Sequence, residues 1–289
     1  MKKILIPIDF SRSSNNAVNY AVAFSEYHPV NQIILVVNVY TTEFEQIIPT
    51  ADFIQYSMDS AAELDGHLKV QFAELKRSIL HKLKQHVRVS FILSKIPFLQ
   101  SIRNLIDQER PDLMVIGSNH GVSGEESYIG DHLIKIAKAS TIPVLIVPEL
   151  TRYQKVKRAL VPFNFSNISS VKLISKMSQL KELSRPELLF LNVDNTSDAV
   201  IADEDNYRIA SEIKQNLQDY PHHFYYSTEK DVLKSVNHFS FANELELIIA
   251  LPGKHSFLYN LTHRSIIKGL ARNNYKPVLI LKDPNGDDV

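Results

Sequence analysis

The sequence predicts an α/β protein of two tandem, doubly wound, five-stranded parallel-sheet domains, residues 1–150 and 156–284. Three observations carry that expectation. Ile4-Leu-Ile-Pro-Ile-Asp-Phe-Ser11 returns as Ala159-Leu-Val-Pro-Phe-Asn-Phe-Ser166, each an apolar run that ends in a turn before a helical pattern. The copies also close alike, with Ile142-Pro-Val-Leu-Ile-Val147 and Lys276-Pro-Val-Leu-Ile-Leu281, so both ends of a repeated unit are visible. Within each copy, short runs rich in β-branched residues alternate with helical stretches. Such alternation implies right-handed crossovers and a parallel sheet covered on both faces.

In the first copy, Lys3 to Ile8, Gln32 to Val39, Val87 to Leu93, Leu113 to Ile116 and Val144 to Val147 read as strands. Between them, Ser14 to Ser25 repeats small or apolar residues at Ala17, Ala21 and Phe24. Ser57 to His86 is a long amphipathic stretch carrying Leu68, Val70, Phe72, Leu75, Ile79 and Leu83, whose default role is to cover its own sheet. Phe98 to Arg110 and Asp131 to Ala139 supply the remaining crossovers. The residues after the first and fourth strands then meet at the switch point of the sheet.

The second copy repeats the order with strands at Arg158 to Pro162, Glu187 to Val193, His222 to Ser227, Glu244 to Ala250 and Val278 to Leu281. Pro7 aligns with Pro162 at an offset of 155, but Pro143 aligns with Pro277 at 134. About 21 residues are therefore missing, and the counterpart of Thr41 to Lys84 is where the loss is expected. The linker Glu149 to Lys157 is polar without Gly or Ser, which predicts a fixed relation between the copies.

Lys+Arg and Asp+Glu both number 32, a balance that argues against a nucleic-acid binder with a broad basic face. The chain has no cysteine, which excludes disulfides, thiolate zinc sites and a cysteine nucleophile. No apolar run approaches the roughly 20 residues that span a bilayer, and Met1-Lys-Lys leads straight into a strand, so a cytoplasmic location without membrane association is expected. His222 and His223 are adjacent on a strand and point to opposite faces, so they cannot share a metal. No Walker-type lysine and no Ser-His-Asp order is present; any hydrolysis is expected to be slow and incidental.

Glycine usage locates the candidate site. Of eight glycines in the chain, Gly117, Gly121, Gly124 and Gly130 fall between the fourth strand and the following helix. Glycines there let backbone approach a ligand, and the amides of a helix N-terminus attract anions, so phosphate binding is one reading. A loop that merely needs positive φ is the other.

The opening Ile6-Pro7-Ile8-Asp9-Phe10-Ser11, the segment Asp112-Leu-Met-Val-Ile-Gly117, the glycine loop and Pro143-Val-Leu-Ile-Val147 together resemble the universal stress protein family over almost the whole of both copies. The resemblance implies an adenine nucleotide alpha hydrolase-like fold, an internal pseudo-dimer and terminal strands that pair antiparallel between the copies. It also implies an adenine-nucleotide site, with Asp9 near the base and ribose, Val39 against the base, and Gly117, Gly121 and Gly130 at the phosphates. With their neighbours the candidate set is Ile8, Asp9, Val39, Ile116, Gly117, Gly121, Gly124, Gly130 and Asp131. The cofactor would be ATP or another adenine nucleotide, with Mg²⁺ for a triphosphate.

Two departures from the family pattern bear on that expectation. His120 stands where the second glycine belongs, with Gly121 one place later, and Asp131 replaces a small hydroxyl residue after Gly130. A carboxylate about 4 Å from a phosphate charge costs on the order of 1 kcal/mol in water-like surroundings and about 4 at an effective dielectric near 20. A helix terminus returns only about 0.3 to 1 kcal/mol, so repulsion wins unless Mg²⁺ bridges or Asp131 turns aside to cap its helix.

In the second copy, Leu251, His255, Leu258 and Arg264 stand at the places of the four glycines, Ser265 at Asp131 and Asn164 at Asp9. The backbone cradle is lost there. Lys254, His255, His263 and Arg264 could hold an anion as point charges, but such groups are usually solvated surface. The competing functional reading is a nucleotide-independent, stress-regulated scaffold for a protein partner of unidentified kind, with a further homodimer left open.

Overall fold

The structure is a computed structural model that describes residues 2–39, 51–84, 86–119, 128–163, 185–193, 211, 217, 220–227, 229, 231–251 and 276–282. The first half runs β1 (Lys3–Pro7), α1 (Arg12–Tyr27), β2 (Gln32–Asn38), α2 (Ala51–Leu80), β3 (Arg88–Ser94), α3 (Phe98–Glu109), β4 (Leu113–Ser118), α4 (Tyr128–Ala139) and β5 (Val144–Pro148). The second shows β6 (Arg158–Phe163), β7 (Glu187–Val193), β8 (His222–Ser227), α5 (Val232–Ala242), β9 (Leu247–Ala250) and β10 (Val278–Ile280). All ten expected strands are present, with ends shifted by at most a few residues.

The strands form one sheet in the order β3-β2-β1-β4-β5-β10-β9-β6-β7-β8. Among the described residues each half pairs in parallel, and only β5 and β10, the duplicated Pro-Val-Leu-Ile segments, pair antiparallel. The strand order of one half is thus mirrored in the other, and the halves meet through antiparallel closing strands as the resemblance implies. Alternate residues of the fully buried strands feed two cores. Ile4, Ile6, Ile33, Leu35 and Val115 join Ala17, Ala21, Leu68 and Ile79 on one face. On the other, Leu5, Ile34, Met114 and Ile116 join Ile102, Leu105, Leu133 and Ile136.

The long helix occupies Ala51–Leu80 rather than Ser57 to His86. Leu68, Leu75 and Ile79 are buried, but Val70 is 57% exposed. Val70 lies two residues from both Leu68 and Phe72, about 200° around the helix from either, so it cannot share their inward stripe.

Counterpart residues make the same contacts in both halves. The Asp112 carboxylate accepts the amides of Lys2 (2.7 Å) and Lys3 (2.9 Å) ahead of β1. Glu246, its counterpart, accepts those of Lys157 (3.2 Å) and Arg158 (2.8 Å) ahead of β6. Arg110 and Glu244, which follow α3 and α5, both take left-handed φ, 48° and 50°. A left-handed residue after a helix lets its amide reach back to the last turn, as the Arg110 N–H does to the Ile106 carbonyl at 3.0 Å.

The linker is pinned to α1. Asn16 Nδ2 donates to the carbonyls of Pro148 (2.8 Å) and Thr151 (2.9 Å), and Val156 is buried in the core. The Tyr153 ring sits edge-on to Tyr20 (5.2 Å) and Phe24 (5.8 Å), and its hydroxyl lies 3.0 Å from His28 Nε2. Burial pushes the Tyr20 phenol well above its ordinary value and that of Tyr153 up to about 12. Burial, reinforced by the charges of the amino terminus and Lys155, lowers His28 to about 4.

Candidate functional site

The carboxyl ends of β1 and β4 part at the switch point of the first half, and Asp9 stands there. Three elements converge on its carboxylate. Oδ1 accepts the Ser11 amide (3.1 Å) and the Ser11 hydroxyl (2.6 Å), and Oδ2 accepts the Ile129 amide in the first turn of α4 (3.2 Å). Ser11 is also the N-cap of α1, its Oγ accepting the Ser14 amide at 3.2 Å. The Ser14 hydroxyl in turn lies 3.4 Å from the Asp9 amide that donates to it. One carboxylate thus ties the end of β1 to the starts of two helices, where N-terminal amides favour negative charge.

Phe10, between Asp9 and Ser11, has φ of 59°. A bulky residue in the left-handed region costs roughly 1 to 2 kcal/mol, and such strain concentrates where geometry serves a site. Its ring packs edge-on against Phe72 at 5.3 Å, which holds the turn in place.

Gly117, the first of the four clustered glycines, lies within β4 and has a structural reason of its own. A Cβ there would lie 2.1 Å from the Ser13 carbonyl oxygen and 2.8 Å from the Ser14 nitrogen. The first turn of α1 therefore rests directly on the β4 backbone, and only glycine permits it. At the corresponding position of the second half, Leu251 is buried at 1% exposure.

Ile8 and Ile116 are fully inside, on opposite faces of the sheet, so any contact they make with a ligand goes through their backbones. Val39 follows β2, half-buried, its amide bonded to the Ser94 carbonyl at 2.9 Å, and it packs on the same core as Phe10 and Phe72. Gly130 and Asp131 are the third and fourth residues of α4, which starts three residues before the expected Asp131. Asp131 is thus not at the capping position; Asp9 reaches the helix start from β1 instead. Gly121, Gly124 and His120 lie outside the described residues, as do Asn164, Lys254, His255, Leu258, His263, Arg264 and Ser265.

Ser13, Ser14 and the Ile129 amide were not singled out by the sequence, and Ser11 only as the end of the opening motif. The run Ser11-Arg-Ser-Ser before an apolar-periodic stretch is an N-cap signal that could have pointed to them. The adjacent histidines separate as expected. His222 Nδ1 lies 2.9 Å from the Tyr220 carbonyl, and His223 Nε2 lies 3.2 Å from Glu187. Among the described residues no group of three potential metal ligands occurs, and no helix is long and apolar enough to cross a membrane.

On fold, the chain resembles a universal stress protein from Archaeoglobus fulgidus DSM 4304, with 15% identity, TM-score 0.63, and coverage of 97% of this chain and 98% of that one. A functionally unknown protein from Pseudomonas aeruginosa PAO1 is similar at 13% identity and TM-score 0.51, covering 99% of this chain and 94% of that one. A universal stress protein family protein from Arabidopsis thaliana, solved with AMP bound, matches at 17% identity and TM-score 0.33, covering 53% of this chain and 93% of that one. Comparison with curated proteins found no match. The family model for universal stress proteins matches residues 1–148, and the chain belongs to the universal stress protein family.

Proposed function

We propose that this stress-response protein binds an adenine nucleotide, or a smaller adenine-containing ligand, in its first half only. The observation that carries the reading is the convergence of β1, α1 and α4 on Asp9, through Ser11 at 2.6 Å and the Ile129 amide at 3.2 Å. A nucleotide at the switch point of a doubly wound sheet meets that combination of strand ends and helix N-termini. The strained Phe10 and the half-buried Val39 flank it. Matching of the family model to residues 1–148 supports the same half, the one that keeps Asp9 and the glycines.

The second reading, a nucleotide-independent scaffold, draws on two contacts. Asp9 already satisfies the Ile129 amide that a phosphate would use, and Gly117 is accounted for by α1 packing. Mass spectrometry of small molecules released from protein purified without added nucleotide separates the readings. Calorimetric titration with adenosine, AMP and ATP in Mg²⁺ then ranks the ligands. Release of an adenine compound, or saturable binding of one per chain, supports the first; no binding at millimolar concentration sinks it.

A further inference from the structure

A groove of about 620 Å³ opens in the second half between β7, the end of β8 and α5, lined by Leu191, Tyr226, Ser227, Glu229, Lys234, Ser235, Asn237, His238 and Phe239. That volume is in the range of small-molecule sites. Leu191 and Phe239 belong to the core shared by the α3/α4 face and give the groove an apolar floor. Its chemistry is copy-specific. β3 and α3 are joined by three residues, Lys95 to Pro97, whereas β8 and α5 are joined by four, Thr228 to Asp231, and that longer connection brings Glu229 to the groove.

The charges at its mouth are opposite. Glu229 Oε1 accepts the Asp231 amide at 3.2 Å, but no cation pairs with this carboxylate among the described residues, and no carboxylate pairs with Lys234. Although both line one groove, they do not pair with each other. The Ser227 oxygen accepts the Glu229 amide at 3.1 Å, which leaves its hydroxyl proton to donate. Asn237 adds a buried Oδ1 that meets no donor among the described residues. The Lys234 amide is met by Asp231 Oδ1 (3.1 Å) and the Ser235 amide by the Asp231 carbonyl (2.9 Å), so these helix amides offer nothing to a phosphate. Glu229 would repel a polyanion as well.

We propose that this groove binds a zwitterionic α-amino acid with a large apolar side chain. Its carboxylate meets Lys234 and the Ser227 hydroxyl, its ammonium meets Glu229 with Asn237 Oδ1 as the second acceptor, and its side chain lies on Leu191 and Phe239. A ligand carrying both charges completes two unpaired groups at once, which neither a simple anion nor a simple cation does. The site is independent of the adenine reading of the first half.

The test is a titration of the intact protein with phenylalanine, phenylalaninamide (cation only), N-acetylphenylalanine (anion only) and inorganic phosphate, read on the Leu191 methyl and Phe239 ring resonances. Phenylalanine should shift both saturably and bind about tenfold more tightly than either single-charge analogue, a difference of about 1.4 kcal/mol. Glu229→Gln should erase the advantage over N-acetylphenylalanine, and Lys234→Met the advantage over phenylalaninamide. Both side chains belong to exposed residues, so the variants keep the fold. The proposal is overturned by absence of a saturable shift at millimolar phenylalanine, by N-acetylphenylalanine or phosphate binding at least as tightly, or by indifference to both substitutions.

Discussion

Leu145 lies directly opposite Leu279 in the antiparallel contact between β5 and β10, and each is the other's counterpart in the repeat at an offset of 134. Ile146 opposite Val278 and Val144 opposite Ile280 complete a register that maps onto itself, so the pseudo-two-fold axis passes between the two leucines. Both are buried, at 5% and 2% exposure, and both contribute to one continuous core. Two halves that kept the same closing strand thereby gain a self-complementary seam.

That symmetry makes paired substitutions informative. Leu145→Ala and Leu279→Ala should each cost about 2 to 5 kcal/mol of stability, the range for burying a cavity in a packed core. Their urea-denaturation midpoints should fall together. A variant at one position that leaves the midpoint unchanged would show that the seam is not a mutual contact.

Gly117→Ala should destabilise the protein with no ligand present, by about 1 to 3 kcal/mol or more, because its Cβ meets the Ser13 carbonyl at 2.1 Å and one of the two backbones must move. Thermal unfolding of ligand-free protein measures this. An unchanged melting temperature would return Gly117 to a purely ligand-binding role.

Asp9→Ala should act twice. Removing the acceptor of the Ser11 and Ile129 amides should cost about 1 to 3 kcal/mol of ligand-free stability, and adenine-ligand binding should be lost. Unfolding and calorimetry on the same sample read both. Full retention of ligand affinity would remove Asp9 from the binding site while leaving its structural role.

Asp131→Ser restores the family pattern after Gly130 and should tighten ATP binding about tenfold if the relief is near 1.4 kcal/mol. Gly130→Arg, which copies the second half, should abolish it. In the intact protein one ATP site is expected; a second that survives Asp9→Ala would place the nucleotide in the wrong half.

Stability should fall on acidification through His28. Its folded value, near 4, lies below the ordinary 6.5, so the unfolded chain binds the proton more readily. The contribution is fully present above about 6.5 and is lost as pH falls toward 4. His28→Phe, which can keep the stacking on Phe24 (ring centroids at 3.9 Å), should flatten the melting temperature over that window. An unaltered pH profile would show that another group carries the acid sensitivity.

The strands and the repeat were legible because they are written in local patterns: β-branched runs, period, and motifs that recur at fixed offsets. The shortened interval was legible in the same way. Strands β6 and β7 follow β1 and β2 at 155, whereas β9 and β10 follow β4 and β5 at 134, and the interval from β7 to β8 takes the loss. The antiparallel union of the halves came from family resemblance rather than from any local pattern, since nothing in Pro-Val-Leu-Ile distinguishes an edge strand from a joined one.

Asp9 and Gly117 show the remaining division. Composition and spacing singled out both residues, but as neighbours of a ligand. Only the folded chain brings Ile129, 120 residues away, against the Asp9 carboxylate, and only it rests the first turn of α1 on the Gly117 backbone. The sequence by itself determined the elements, their order and their duplication, because backbone conformation follows from near neighbours. Which amide a carboxylate satisfies, which glycine is a packing requirement, and which opposite charges face one groove are set by contacts between distant segments. Those were decided by the tertiary structure alone.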